Sequence, residues 1–206
     1  MLHRLRQAMV RPDRERLKGQ VEVDETFMAL SERHAPAVTK PRKSNTSKAL
    51  VVIAVETLQP KGFGRIRLRR IENDAEESVI PFVQASVEPG SQVRTDGSAA
   101  YRSLRHLGYD HHKTVMLGSD NPAHQSMPGV HRVASLVKRW ILGTHHGAVQ
   151  PEHLDAYLDE FVFRFNRRTS RSRGLLFYRL LQQAVATGPV TYKDVLSPLA
   201  KTKKRR

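Results

Sequence analysis

Residues 20–27, Gln20-Val21-Glu22-Val23-Asp24-Glu25-Thr26-Phe27, alternate apolar and polar side chains. A period of two marks a half-buried strand, because successive side chains leave the backbone on opposite faces. Downstream, beyond a polar, Pro-containing stretch from Ser31 to Ser47 that reads as a loop, Ala49-Leu50-Val51-Val52-Ile53-Ala54-Val55 is a continuous apolar run rich in β-branched residues. Such a run predicts a strand covered on both faces. Residues 64–71 alternate again and read as its hairpin partner, apolar on one face and strongly basic on the other.

The pattern turns helical from Ala75 to Val87, where Val79, Ile80 and Val83 share a side. Glu76 and Glu77 fall in its first turn, which the helix dipole favours. Pro89-Gly90 makes a turn, residues 91–95 a short strand, and Asp96-Gly97 ends it. A helix through Tyr101, Leu104 and Leu107 is expected next, then a short strand within residues 111–117 and a loop over residues 118–129. Val130, Val133, Ala134, Val137 and Ile141 form the apolar face of a helix whose polar face carries Arg132, Lys138 and Arg139. Pro151 opens another helix that runs to Asn166, and a last one runs from about Gly174 to Thr187. Three strands, a helix, a strand and further helices predict an α/β fold, a mixed sheet flanked by helices.

Charge narrows the function. Lys and Arg number 35 against 20 Asp and Glu, a formal net charge of +15 over 206 residues. Self-repulsion of that size favours an anionic partner, and nucleic acid is the foremost one because each neutralised phosphate releases counterions. No apolar run approaches the roughly 20 residues of a membrane span. The basic start lacks the apolar core of a secretory signal. There is no cysteine, which excludes disulfides and thiolate zinc sites and makes a cytoplasmic location the plain expectation.

Two aspartates stand out by position. Asp24 lies within the first strand and Asp96 at the end of a later one, so neighbouring strands would bring the carboxylates together. Two such groups repel unless one takes a proton or a divalent cation lies between them, and oxygen ligands suit Mg²⁺ or Mn²⁺. The competing reading makes both ordinary turn or surface residues, Asp-Gly being a common turn dipeptide. His131 begins the helix after the loop, and Lys138 lies two turns on along the same face. By periodicity alone, His131 reads better as a helix-start residue packed on the loop. Trp140 reads as core packing, and His145 with His146 as a helix-end turn or a DNA contact.

The chain resembles DDE-type transposases of bacterial insertion sequences, of the ISXO type. The resemblance is carried by Ala8-Met9-Val10-Arg11-Pro12, by residues 19–26 (GQVEVDET) and by Arg94-Thr95-Asp96-Gly97. It continues through residues 128–135 (PGVHRVAS), 138–146 (KRWILGTHH) and 153–168 (HLDAYLDEFVFRFNRR), spanning about residues 5–195. It implies a ribonuclease-H-like fold with the first three strands antiparallel and catalytic acids on strands one and four. The acids map onto Asp24 and Asp96, and the third position onto His131, with 34 residues between Asp96 and His131. The pattern is thus D-D-H instead of D-D-E, and imidazole suits Mn²⁺ better than Mg²⁺. Glu25 is a spare carboxylate on the opposite strand face from Asp24.

The resemblance further implies two ions held by Asp24, Asp96 and His131, cleavage and transfer of DNA strands, and phosphate contacts from Arg132, Lys138 and Arg139. Arg164, Arg167 and Arg168, in the densest basic cluster, read either as a solvated helix end or, as the flanking aromatic residues and the resemblance favour, as further DNA contacts. Partners would be transposon ends and target DNA, bound by a homodimer or larger assembly. Residues 1–19 read as the remainder of an N-terminal DNA-binding helix with its linker, 20–195 as the catalytic domain and 196–206 as a basic tail. Relatives usually carry a cysteine-rich zinc ribbon ahead of this region. Its absence supports the alternative of a truncated, catalytically silent DNA-binding remnant.

Overall fold

Strand β1 (Gln20–Ala29) pairs antiparallel with β2 (Lys48–Thr57) over its whole length, from Gln20 opposite Thr57 to Ala29 opposite Lys48. β3 (Phe63–Ile71) adds antiparallel to β2. On the other side of β1, β4 (Gln92–Thr95) pairs parallel, followed by β5 (Asp110–Lys113), also parallel. The order is β3-β2-β1-β4-β5. This is the mixed sheet expected from the sequence, with three antiparallel strands first; Asp24 lies within β1, and Asp96 directly follows β4 instead of lying on it. The computed structural model describes residues 2–10, 14–30, 48–60, 62–114, 127–146 and 149–188. The expected loop at residues 31–47, residues 115–126 of the expected strand and loop, and the basic tail lie outside the described residues.

Two compact units form, one from Glu15–Val149 and one from Met1–Arg14 with Gln150–Arg206. In the first, the alternation of β1 decides what covers each side of the sheet. Val21 and Val23 share a core with Val52 and Ala54 of β2, with Val79, Phe82 and Val83 of α2 (Glu76–Ser86), and with Tyr101 and Leu104. The opposite face is covered by α3 (Pro128–His145), which packs on β1 and β2 through a buried stripe of Val130, Val133, Val137 and Ile141. Both faces are therefore dry, as the apolar run of β2 requires. α3 ends at His146, whose left-handed φ of 51° closes the helix.

Two local expectations are refined. The helix expected after Asp96 is present at Ala99–Arg105 and winds as a 3-10 helix, with Tyr101 N–H bonded to Ser98 O at 3.3 Å. Tyr101, Leu104 and Leu107 recur every three residues, the repeat of the tighter helix. The basic face of β3 is also consumed internally. Arg65 pairs with Glu56 at 2.8 Å and Glu15 at 2.9 Å, and Arg69 lies 5.6 Å over the Phe82 ring. Arg67, only 5% exposed, donates to Glu15 O at 2.6 Å. Arg65 and Arg67 fasten the segment entering β1 to the sheet.

The second unit contains α1 (Leu2–Ala8), a 3-10 turn at Pro151–His153, α4 (Leu154–Asn166) and α5 (Arg173–Ala186). A buried ion pair, Arg6 Nε to Glu160 Oε2 at 2.6 Å, joins α1 to α4. α5 buries none of its residues and exposes Leu175, Phe177, Tyr178, Leu181 and Val185.

Candidate functional site

Period two places Glu22 and Asp24 on the face of β1 that α3 covers. The parallel register sets Glu22 opposite Arg94; Asp24 stands two residues further along β1, and Asp96 two residues beyond Arg94, just past the end of β4. Asp24 is half-buried, and burial is the main cause that raises its pKa above the ordinary 3.8. The Glu25 N–H lowers it, the charge of Asp96 raises it again, and His131 lowers it. Asp24, Asp96 and His131 therefore share one electrostatic neighbourhood.

Local hydrogen bonds orient both aspartates. Asp24 Oδ1 accepts from Glu25 N–H at 2.8 Å, and Asp96 Oδ1 accepts from Ser98 N–H at 2.9 Å. The second oxygen of each has no hydrogen bond among the described residues. His131 lies in the first turn of α3, and its Nε2 is buried without a hydrogen-bond partner among the described residues. A buried ring nitrogen lacking a partner calls for a ligand or a water. Two carboxylates and an imidazole nitrogen are donors that suit a divalent cation, Mn²⁺ above all. In their present positions, no three His, Asp or Glu side chains among the described residues are grouped closely enough to hold an ion.

Glu22, Thr95 and His111, which back this cluster, were not singled out from the sequence, whereas Glu25 was. Glu22, 3% exposed, accepts through Oε2 from the N–H groups of Gly129 at 2.7 Å and Val130 at 3.0 Å. Burial raises its pKa, against the lowering by those two N–H groups, Arg94 and His131. On the opposite face, Glu25 accepts from the Tyr101 hydroxyl. Burial is the chief cause that lifts Glu25 to about 7, with Asp24 and Asp96 adding to it and Tyr101 opposing it. Behind Asp96, Thr95 Oγ1 lies 2.9 Å from His111 Nε2 and accepts from Gly97 N–H at 3.3 Å. One signal was readable for Glu22: a polar side chain on a covered strand face must find a partner.

Arg132, Lys138 and Arg139 are exposed on α3, with Lys138 on the His131 side of the helix and the two arginines turned away from the buried stripe. In the other unit, Arg164 pairs with Glu160 at 2.7 Å. Arg167 lies 3.9 Å over Phe163, and Arg168 lies 4.0 Å over Phe165. The aromatic residues among these arginines thus serve as platforms for the guanidinium groups themselves. Trp140 meets His145 edge-on at 4.8 Å.

A family model described as ISXO2-like transposase domain matches residues 16–166. Comparison with curated proteins gave no match. Among solved structures, the chain is similar to a crystal structure of a pre-cleavage Mos1 transpososome, at 15% sequence identity and a TM-score of 0.35. That similarity takes in 92% of this chain and 63% of the other, so this chain spans less than two thirds of its length.

Proposed function

The chain belongs to the ISXO2-like transposase domain family, and on that premise we propose that it cleaves and joins DNA strands in a metal-dependent reaction at Asp24, Asp96 and His131. The observation that carries this reading is the half-buried Asp24 carboxyl within reach of the charges of Asp96 and His131, together with the buried His131 Nε2 that has no hydrogen-bond partner among the described residues. When bound, a pair of Mg²⁺ or Mn²⁺ ions supplies Lewis acidity to the attacking and leaving sides of a phosphodiester. Asp24 and Asp96 would hold the ions through their carboxylate oxygens, and His131 through an imidazole nitrogen. Lys138, on the same side of α3 as His131, neutralises a neighbouring DNA phosphate, and Arg132 and Arg139 extend that contact. Arg164, Arg167 and Arg168 of the other unit, in the densest basic cluster of the sequence, also serve DNA binding.

The partners are transposon ends and target DNA, and joining two ends calls for at least a dimer. None of the described helices is long and apolar enough to cross a membrane, in keeping with work on DNA. A second reading, a DNA-binding protein without catalysis, is favoured by the absence of a closed three-donor group among the described residues. Strand transfer of labelled terminal inverted repeats with Mn²⁺ separates the two. Product from the unaltered chain and none from Asp96→Ala is expected. Equal product from both overturns the site assignment, and DNA binding without product from either supports the second reading.

A further inference from the structure

Glu22 stands outside the donor set, and we propose that it is the positioning residue for His131: by fixing the first turn of α3 on β1, it sets where the imidazole stands relative to Asp24 and Asp96. The inference rests on the metal-site reading given above.

A helix leaves its first N–H groups without intrahelical partners. α3 has no cap of its own, because Met127 at its N-cap makes no side-chain hydrogen bond to the helix. Glu22 replaces that cap from a strand 107 residues earlier in the chain, and the N–H groups it takes belong to Gly129 and Val130, the two residues before His131. Since one oxygen, Oε2, already accepts from both, Glu22 acts here as a clamp. The same strand face carries Asp24 two residues on, about 7 Å along β1. The donor strand and the clamp are therefore one rigid element.

Steric fit fixes the helix from the other side. A Cβ built on Gly129 would lie 2.8 Å from Glu22 Oε2 and 3.2 Å from both Val55 Cγ1 and Phe63 Cε1. A side chain there would have to displace the Glu22 carboxylate that clamps the helix or shift the start of α3, and Val55 and Phe63 would each have to give by a few tenths of an ångström. Pro128 at the head of the helix leaves that turn one N–H fewer to satisfy. Glycine, clamp and covered strand together hold the backbone that carries His131 against β1.

The test is Mn²⁺ binding to the full chain, read by electron paramagnetic resonance, together with the imidazole NMR signals of His131 in metal-free protein. Glu22→Ala should weaken Mn²⁺ binding about tenfold or more, the scale seen when groups supporting a metal ligand are removed. Glu22→Gln keeps an oxygen for the two N–H groups and should restore binding to near the unaltered value. Gly129→Ala retains the carboxylate but displaces the turn, and should weaken binding as Glu22→Ala does. Both weakening variants should move the His131 signals, and neither should weaken Mn²⁺ binding further once His131 is alanine. If Glu22→Ala does not fold, Gly129→Ala and Glu22→Gln carry the comparison. Unchanged Mn²⁺ binding in the folded weakening variants overturns the proposal while leaving the metal site standing, and so does a loss that adds to that of His131→Ala. No Mn²⁺ binding by the unaltered chain overturns the metal-site reading itself, and the proposal with it.

Discussion

Replacing Glu160 by alanine isolates the energetics of the second unit. Glu160 is 7% exposed, its Oε2 takes Arg6 Nε at 2.6 Å, and its Oε1 takes Arg164. Arg6 is itself 6% exposed and stacks 4.2 Å from the Tyr157 ring centroid. Removing one partner of a buried pair leaves the other charge desolvated, which costs about 3–5 kcal/mol. The Tyr157 face retains part of the stabilisation, so about 3 kcal/mol is expected, and at 1.4 kcal/mol per tenfold this is roughly a hundredfold in the opening equilibrium. Amide hydrogen exchange of peptides from α1 and α4 reads that ratio directly. The double variant Arg6→Met/Glu160→Leu should recover most of the loss, because apolar residues of similar volume often replace a buried pair at little cost. The pH dependence has a definite sign. Burial, the largest influence on Glu160, pushes its pKa up, but Arg6 and Arg164 together hold it below 4.5. Its contribution is thus fully present above 4.5 and is lost as pH falls through the lower folded value. Less than a threefold acceleration in Glu160→Ala at neutral pH, or a double variant no better than the single one, would refute the reasoning.

Thr95→Val should lower stability by about 1–3 kcal/mol, because it leaves the buried His111 Nε2 and the Gly97 N–H without their shared partner; thermal unfolding monitored by circular dichroism measures it. Gly64→Ala would place a Cβ 2.7 Å from Glu56 Oε2 and force that carboxylate away from Arg65. A loss of about 1–3 kcal/mol in urea unfolding is expected. Lys138→Ala should weaken DNA binding alike across sequences and reduce the slope of log K against log salt by about 0.9, as fluorescence anisotropy over a salt series would show.

What the sequence disclosed depended on the range of the interactions. The faces of β1 and β2 were legible because period two and an unbroken apolar run are local patterns. The same local logic separated Asp24 from Glu25, whose carboxyl indeed meets Tyr101 on the other face. His131 and Lys138 could be placed on one side of a helix by their seven-residue spacing. The role of Glu22 was hidden because its partners lie 107 and 108 residues away. The buried state of Arg67 was hidden likewise, since basic alternation in β3 suggests solvent until the segment around Glu15 is seen to lie over it. The 3-10 winding after Asp96 turned on a period of three that suits two kinds of helix.

The neighbouring acids of β1 carry a lesson about alteration. Asp24 and Glu25 are adjacent in sequence yet serve opposite sides of the sheet, one beside Asp96 and His131, the other bonded to Tyr101. Exchanging them, as Asp24→Glu with Glu25→Asp, preserves charge, composition and strand propensity. It nonetheless lengthens the carboxylate arm on one side by a methylene and shortens it on the other. A sheet buried on both faces transmits such a change to two unrelated neighbourhoods at once. Deleting one residue upstream in β1 is harsher, because it carries every acid of the strand through to the wrong side. Variants of this chain are therefore best judged by the parity of each position along β1.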